Sequence, residues 1–130
     1  MTHMHAFTAH VIVGSGRGKS LGSPTMNLDT TQVSTDLQEG VYAVLAEVEG
    51  VVHRAVMHYG PRPVFGDSLS CEVHLIDSVI EHAPDAITVT PAGRMRDVQH
   101  FASPDDLKMQ IALDIAQAKE MLSTNADARA

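Results

Sequence analysis

Two β-branched runs in the middle of the chain, Val41–Val48 (VYAVLAEV) and Val51–Met57 (VVHRAVM), are separated only by Glu49-Gly50. No other feature restricts the fold as much. Two extended runs joined by two residues fold back on each other as an antiparallel hairpin, and glycine suits the positive φ that such a turn demands. Three further runs read as strands: Ala6–Val13 (AFTAHVIV), Ser70–Ile76 (SCEVHLI) and the short Ile87–Thr90 (ITVT). Gln38-Glu39-Gly40 reads as a turn, and Pro61, Pro63 and Gly66 make the stretch between strands irregular.

One helix closes the chain. Ser103 is placed to cap it, Pro104 occupies its first position and Asp106 completes the capping pattern. Leu107, Ile111, Ile115, Ala118 and Leu122 then form one apolar stripe. Strands never alternate with helices, so a parallel sheet is not expected. The expectation is a mainly β domain: a closed antiparallel barrel of about six strands, which removes exposed edges, with the helix over one side or end. The 130 residues suit one domain, its core about 7–122, with 1–5 and 123–130 expected to be flexible. Aromatics are only 4% and Trp is absent, so that core must rest on Val, Ile, Leu, Ala and Met.

Charge and composition narrow the surroundings. A net charge of −7 argues against general nucleic-acid binding. No apolar run is long enough for a membrane span, and the first residues lack the basic-then-apolar pattern of a secretory signal. Cys71 is the single cysteine, so no internal disulfide forms. A cytoplasmic protein is expected, with a monomer as the default.

The segment Gly14–Asn27 (GSGRGKSLGSPTMN) sets Gly14, Gly16 and Gly18 at alternate positions, interleaved with Arg17 and Lys19. Glycine backbone can approach a ligand closely, successive N–H groups can surround an anion, and the two cations add charge. Thr25 and Asn27 offer the hard oxygens that Mg²⁺ takes beside phosphate. A phosphate-and-magnesium loop is one reading and a surface turn is the other. Neither the P-loop spacing nor the dinucleotide-binding glycine pattern is present.

Glu72 and His74 share one face of their strand, while Val73 and Leu75 take the other. A carboxylate on a strand near a phosphate loop is a candidate general base; a solvated surface acid is the alternative. His53, His58 and His74 with Glu72 invite a metal reading, but the spacing of a histidine-carboxylate barrel site is missing, and most histidines are expected at the surface. Cys71 falls on the Val73 face and is expected to be a buried apolar group. Asp77, Glu81 and Asp85 read as a solvated loop.

Together these pieces resemble the ATP-dependent riboflavin kinases, which also form the C-terminal module of bacterial bifunctional FAD synthetases. GRGKSLGSPTMNL (Gly16–Leu28) resembles the family's G-R-G-x-x-L-G-[FW]-P-T-A-N-L. GVYAV (Gly40–Val44), YGPRPVFG (Tyr59–Gly66), EVHLID (Glu72–Asp77) and the series Arg96, Phe101, Ser103, Leu107, Gln110, Ile111, Asp114 follow in the family's order. The resemblance spans about residues 7–122. It implies a six-stranded Greek-key barrel with a C-terminal helix and transfer of the γ-phosphoryl of MgATP to the 5′-hydroxyl of riboflavin, giving FMN and ADP. It implies that Gly14–Lys19 wraps the phosphates, that Thr25 and Asn27 sit at magnesium and phosphate, and that Glu72 is the base. Arg96, Phe101 and Leu107 would lie on the flavin side.

The chain departs from the pattern at Ser23, Met26, His58 and Val64, and over Asp77–Pro84. Several aromatics around the barrel are thereby lost. A nucleotide- or flavin-binding barrel without turnover, or a kinase for another small alcohol, therefore stands beside the main reading. Without an adenylyltransferase segment, the chain is not expected to make FAD.

Overall fold

A computed structural model describes residues 5–12, 25–61, 68–76, 78, 80 and 82–129, with side chains to 123. Its strands are β1 (Phe7–Ile12), β2 (Thr25–Leu28), β3 (Gly40–Val48), β4 (Val51–Pro61), β5 (Leu69–Leu75) and β6 (Ala86–Arg96), followed by one helix, α1 (Pro104–Arg129). They close into a barrel in the order β1-β2-β5-β4-β3-β6, every neighbouring pair antiparallel. β3, β4 and β5 follow one another as a meander, and β6 returns to lie beside β3, the Greek-key connection.

The central hairpin forms as the sequence dictates. Val48 faces Val51, with Glu49 at φ 50° and Gly50 at φ 85°. Positive φ at both turn positions matches the twist of the flanking strands. β4 continues to Pro61, four residues beyond the expected end at Met57. β6 likewise runs through Pro91 to Arg96 instead of stopping at Thr90. Pro91 is tolerated because it pairs with Val44 at an irregularity in the β3–β6 register, and β1 covers only Ala86–Val89 on the other side. β2 is a strand within the segment expected to be a loop. Its four residues alternate half-buried and buried (Thr25, Met26, Asn27, Leu28).

Alternate residues point into the barrel. Phe7, Met26, Leu28, Tyr42, Val44, Met57, Cys71, Val73, Ile87 and Val89 belong to its core. On the outside, Val41, Ala43 and Val56 pack with Ile76 against Ala118 and Leu122 of α1. β3 is thus covered on both faces over its first half, which is why it reads as a nearly continuous apolar run. The helix comes so close to β6 that a Cβ on Gly93 would lie 2.7 Å from the Met121 side chain. α1 starts as expected, with the Asp106 amide donating to Ser103 Oγ at 3.2 Å, and it continues to Arg129.

Candidate functional site

Strand register assembles the site on the outer face of the barrel. Asn27 of β2 lies opposite Glu72 of β5, Glu72 opposite His58 of β4, His58 opposite Val41 of β3, and Val41 opposite Arg96 of β6. The adjacent row on the same face runs from Thr25 to His74 to Val56 to Ala43. Side chains directly opposite across strands are about 5 Å apart and those two apart on one strand about 7 Å, all on one face, so Thr25, Asn27, Glu72, His74 and His58 form one patch. The same face, further along, carries α1.

Two short contacts tie the patch together. Thr25 Oγ1 and His74 Nδ1 share a hydrogen bond of 2.9 Å, and His74 Nε2 stands 3.9 Å from Glu72 Oε1. The Glu72 side chain remains 24% exposed, so it can meet a ligand, whereas that of His74 is only 15% exposed. Burial pushes the His74 imidazole down to about 4, helped by nearby His58 and opposed by the Asp114 carboxylate, and it is neutral at neutral pH. His58 is also lowered, first by burial and then by the Arg96 guanidinium. Both of its ring nitrogens are sealed from solvent, and neither has a hydrogen-bond partner among the described residues.

Arg96 stands at the far end of the first row. It forms a two-point ion pair with Asp114 of α1, Nε to Oδ1 at 3.0 Å and Nη2 to Oδ2 at 2.8 Å, and Gln110 Nε2 donates to the same Oδ1 at 3.0 Å. Asp114 is 2% exposed. Three strand spacings, about 14 Å along the sheet, separate Arg96 from Glu72. Phe101 and Leu107 are half-buried at the entry to α1.

The expected residues are therefore brought together in part. Thr25, Asn27 and Glu72 meet, while Arg96, expected on the flavin side, is paired with Asp114 of α1. Gly14, Gly16, Arg17, Gly18 and Lys19 lie outside the described residues. The histidines expected at the surface need correction at two positions: the ring nitrogens of His58 are sealed from solvent, and the His74 side chain is only 15% exposed. Period-two alternation put His74 with Glu72, but nothing local in the sequence signalled that Thr25 would be its partner. Cys71 is buried in the barrel as expected, and burial pushes its thiol up to about 12, an unreactive state at neutral pH.

A cation is compatible with this donor set. Thr25 and Asn27 offer neutral hard oxygens of the kind Mg²⁺ accepts when phosphate and water complete its shell. Among the described residues, no group of three or more His, Cys, Asp or Glu side chains comes together to hold a metal by itself. A metal here would depend on the oxygens of a bound phosphate.

Comparison with known proteins identifies the architecture. The riboflavin kinase family model matches residues 1–122. The chain belongs to the riboflavin kinase family. It is 36% identical over 122 residues to the bifunctional riboflavin kinase/FMN adenylyltransferase of Escherichia coli K12, covering 91% of this chain and 38% of that protein. It is 33% identical over 108 residues to the RNA-binding riboflavin kinase RibR of Bacillus subtilis, covering 82% of this chain and 46% of that one. Among solved structures, one described as a macrolide-efflux protein from Streptococcus pneumoniae superposes with a TM-score of 0.72 at 27% identity, over 89% of this chain and 38% of that one. The chain spans less than half the length of these relatives. The family membership agrees with the closed six-stranded barrel and its C-terminal helix.

Proposed function

We propose that this chain transfers the γ-phosphoryl group of MgATP to the 5′-hydroxyl of riboflavin, giving FMN and ADP. The observation that carries the proposal is the cross-strand pairing of Asn27 with Glu72, beside Thr25 and its hydrogen bond to His74. A carboxylate and two neutral oxygen donors share one half-buried patch, and Thr25 is the residue at which the connection from Ile12 enters β2. That connection contains Arg17, Lys19 and the alternate glycines, which are suited to bind the phosphates of the nucleotide.

In this reading Glu72 accepts the proton of the ribityl hydroxyl as its oxygen attacks the γ-phosphorus. The new O–P bond forms as the bond to the β-phosphate oxygen breaks, and ADP leaves with that electron pair. Thr25 and Asn27 orient the polyphosphate and are the residues that would hold Mg²⁺, which when bound neutralises charge on the phosphate oxygens. Phosphoryl transfer asks little covalent chemistry of a protein, so position and electrostatics supply most of the rate. Phe101, Leu107 and Arg96, at the α1 side, are assigned to the flavin end.

The test is incubation of the purified chain with MgATP and riboflavin, followed by chromatographic separation of riboflavin from FMN. FMN appearing in step with ADP is the expected result. Nucleotide and flavin binding without FMN would mean a barrel that binds and does not turn over.

A further inference from the structure

We propose that His74 is a positioning residue that links the nucleotide side of the site to its base, accepting a hydrogen bond from Thr25 at Nδ1 and donating one from Nε2–H to Glu72. The inference rests on the reading of Thr25 and Glu72 given above.

The argument is one of donors and acceptors. A neutral imidazole has one N–H and one bare nitrogen, and a threonine hydroxyl has one hydrogen and two lone pairs. His74 has Thr25 Oγ1 at 2.9 Å from Nδ1 and Glu72 Oε1 at 3.9 Å from Nε2. With the proton on Nδ1, the Thr25 oxygen would spend a lone pair on the ring, and a bare Nε2 would face a carboxylate oxygen, acceptor against acceptor. With the proton on Nε2, both contacts join a donor to an acceptor. Burial leaves the ring little access to water as a substitute partner, so the tautomer that satisfies both neighbours is strongly favoured.

This arrangement has two consequences. The hydroxyl hydrogen of Thr25 is committed to the ring, which turns both oxygen lone pairs towards a ligand. Nε2–H is directed to one oxygen of Glu72 and so orients the carboxylate. The 3.9 Å gap to Glu72 must shorten by about 1 Å to become a hydrogen bond, the kind of tightening that accompanies substrate binding. His74 touches neither the phosphates nor the alcohol; it sets the orientation of the groups that do.

Nuclear magnetic resonance of the ligand-free protein with ¹⁵N-labelled histidine reads the tautomer directly. A protonated Nε2 and bare Nδ1 at His74 are expected, and a protonated Nδ1 overturns the proposal. Two substitutions separate the halves of the link. In His74→Asn the amide oxygen falls near the former Nδ1 and can still accept from Thr25, but nothing reaches Glu72. MgADP affinity should stay within about threefold of the parent while kcat falls about tenfold, the worth of one hydrogen bond. In His74→Leu both contacts go, and MgADP affinity should also weaken about tenfold. Equal MgADP affinities in the two variants, or parental kcat in His74→Asn, would overturn the link. The tautomer is measured on the parent, so it decides the matter even if His74→Leu does not fold. Unchanged MgADP affinity in Thr25→Ala would instead remove the underlying reading of Thr25 as a nucleotide residue.

Discussion

Glu72 and His58 face each other across β4 and β5, and their environments make opposite predictions. Glu72 is open to a ligand, so Glu72→Gln keeps the shape of the side chain and removes only the proton acceptor. Turnover of riboflavin should fall about 10²–10⁴-fold with MgADP affinity nearly unchanged. Steady-state kinetics with a parallel binding measurement checks this, and turnover within twofold of the parent would take Glu72 out of the mechanism. His58 has two buried nitrogens that find no partner among the described residues, each a desolvated polar group. Replacing it with an apolar side chain of similar size, His58→Leu, should raise stability by about 1 kcal/mol. In calorimetry that is a rise in Tm of about 4 °C for a chain of this length. A fall in Tm would show that the ring is satisfied in a way the ligand-free geometry does not reveal. Glu72 was legible as a candidate from its strand position and motif. His58 was legible as one of the histidines near Glu72 and as a departure from the family pattern, but the sealing of its ring depends on tertiary packing, which leaves no mark on the local sequence.

At the scale of elements, α1 is fastened to the barrel by an apolar patch and one buried ion pair. Ala118 and Leu122 cover Val41, Ala43 and Val56, and Asp114 grips Arg96 at two points. Removing one partner of such a pair leaves an uncompensated charge, whereas replacing both by apolar groups is close to neutral. Asp114→Ala should therefore cost about 3 kcal/mol. That corresponds to a drop in Tm of about 10 °C. The double variant Asp114→Leu with Arg96→Met should recover most of the loss. A Tm for Asp114→Ala within 2 °C of the parent, with about that uncertainty in the scan, would mean that the apolar patch alone holds the helix. The helix itself was readable, from Ser103 at its cap to Leu122 in its stripe. The stripe does not show that Asp114, a charged residue inside the helix, is among its most buried groups. The four-residue β2 was missed for a similar reason: alternation over Thr25–Leu28 is too short to signal a strand without its partners on β1 and β5.

For the molecule as a whole, buried histidines link stability to pH. Unfolded, His74 has its ordinary value of 6.5 and takes up a proton below it; folded, it stays neutral down to about 4. Between those values the unfolded chain binds more protons, so stability rises with pH across the window. The contribution is complete above pH 6.5 and is lost as the pH falls towards 4, by an amount on the order of 2–3 kcal/mol. His58, shifted in the same direction, adds to it. Denaturant melts of the ligand-free protein between pH 7.5 and 4.5 should show this slope, and it should be much reduced in His74→Asn. An unchanged slope in that variant would place the acid sensitivity elsewhere.

What the sequence by itself determined are the features that depend on neighbours in the chain. These are the hairpin at Glu49-Gly50, the capped start of α1, the alternation that sends Cys71 and Val73 inward and Glu72 and His74 outward, and the motifs that mark the family. What only the tertiary structure decided depends on which strands become neighbours. Closing the barrel in the order β1-β2-β5-β4-β3-β6 sets Asn27 against Glu72 and Thr25 against His74, pairs separated by 45 or more residues. Cross-strand register is a property of the closed sheet. A local pattern can name the face on which a side chain stands, but the side chain that stands opposite is chosen by the packing of the whole.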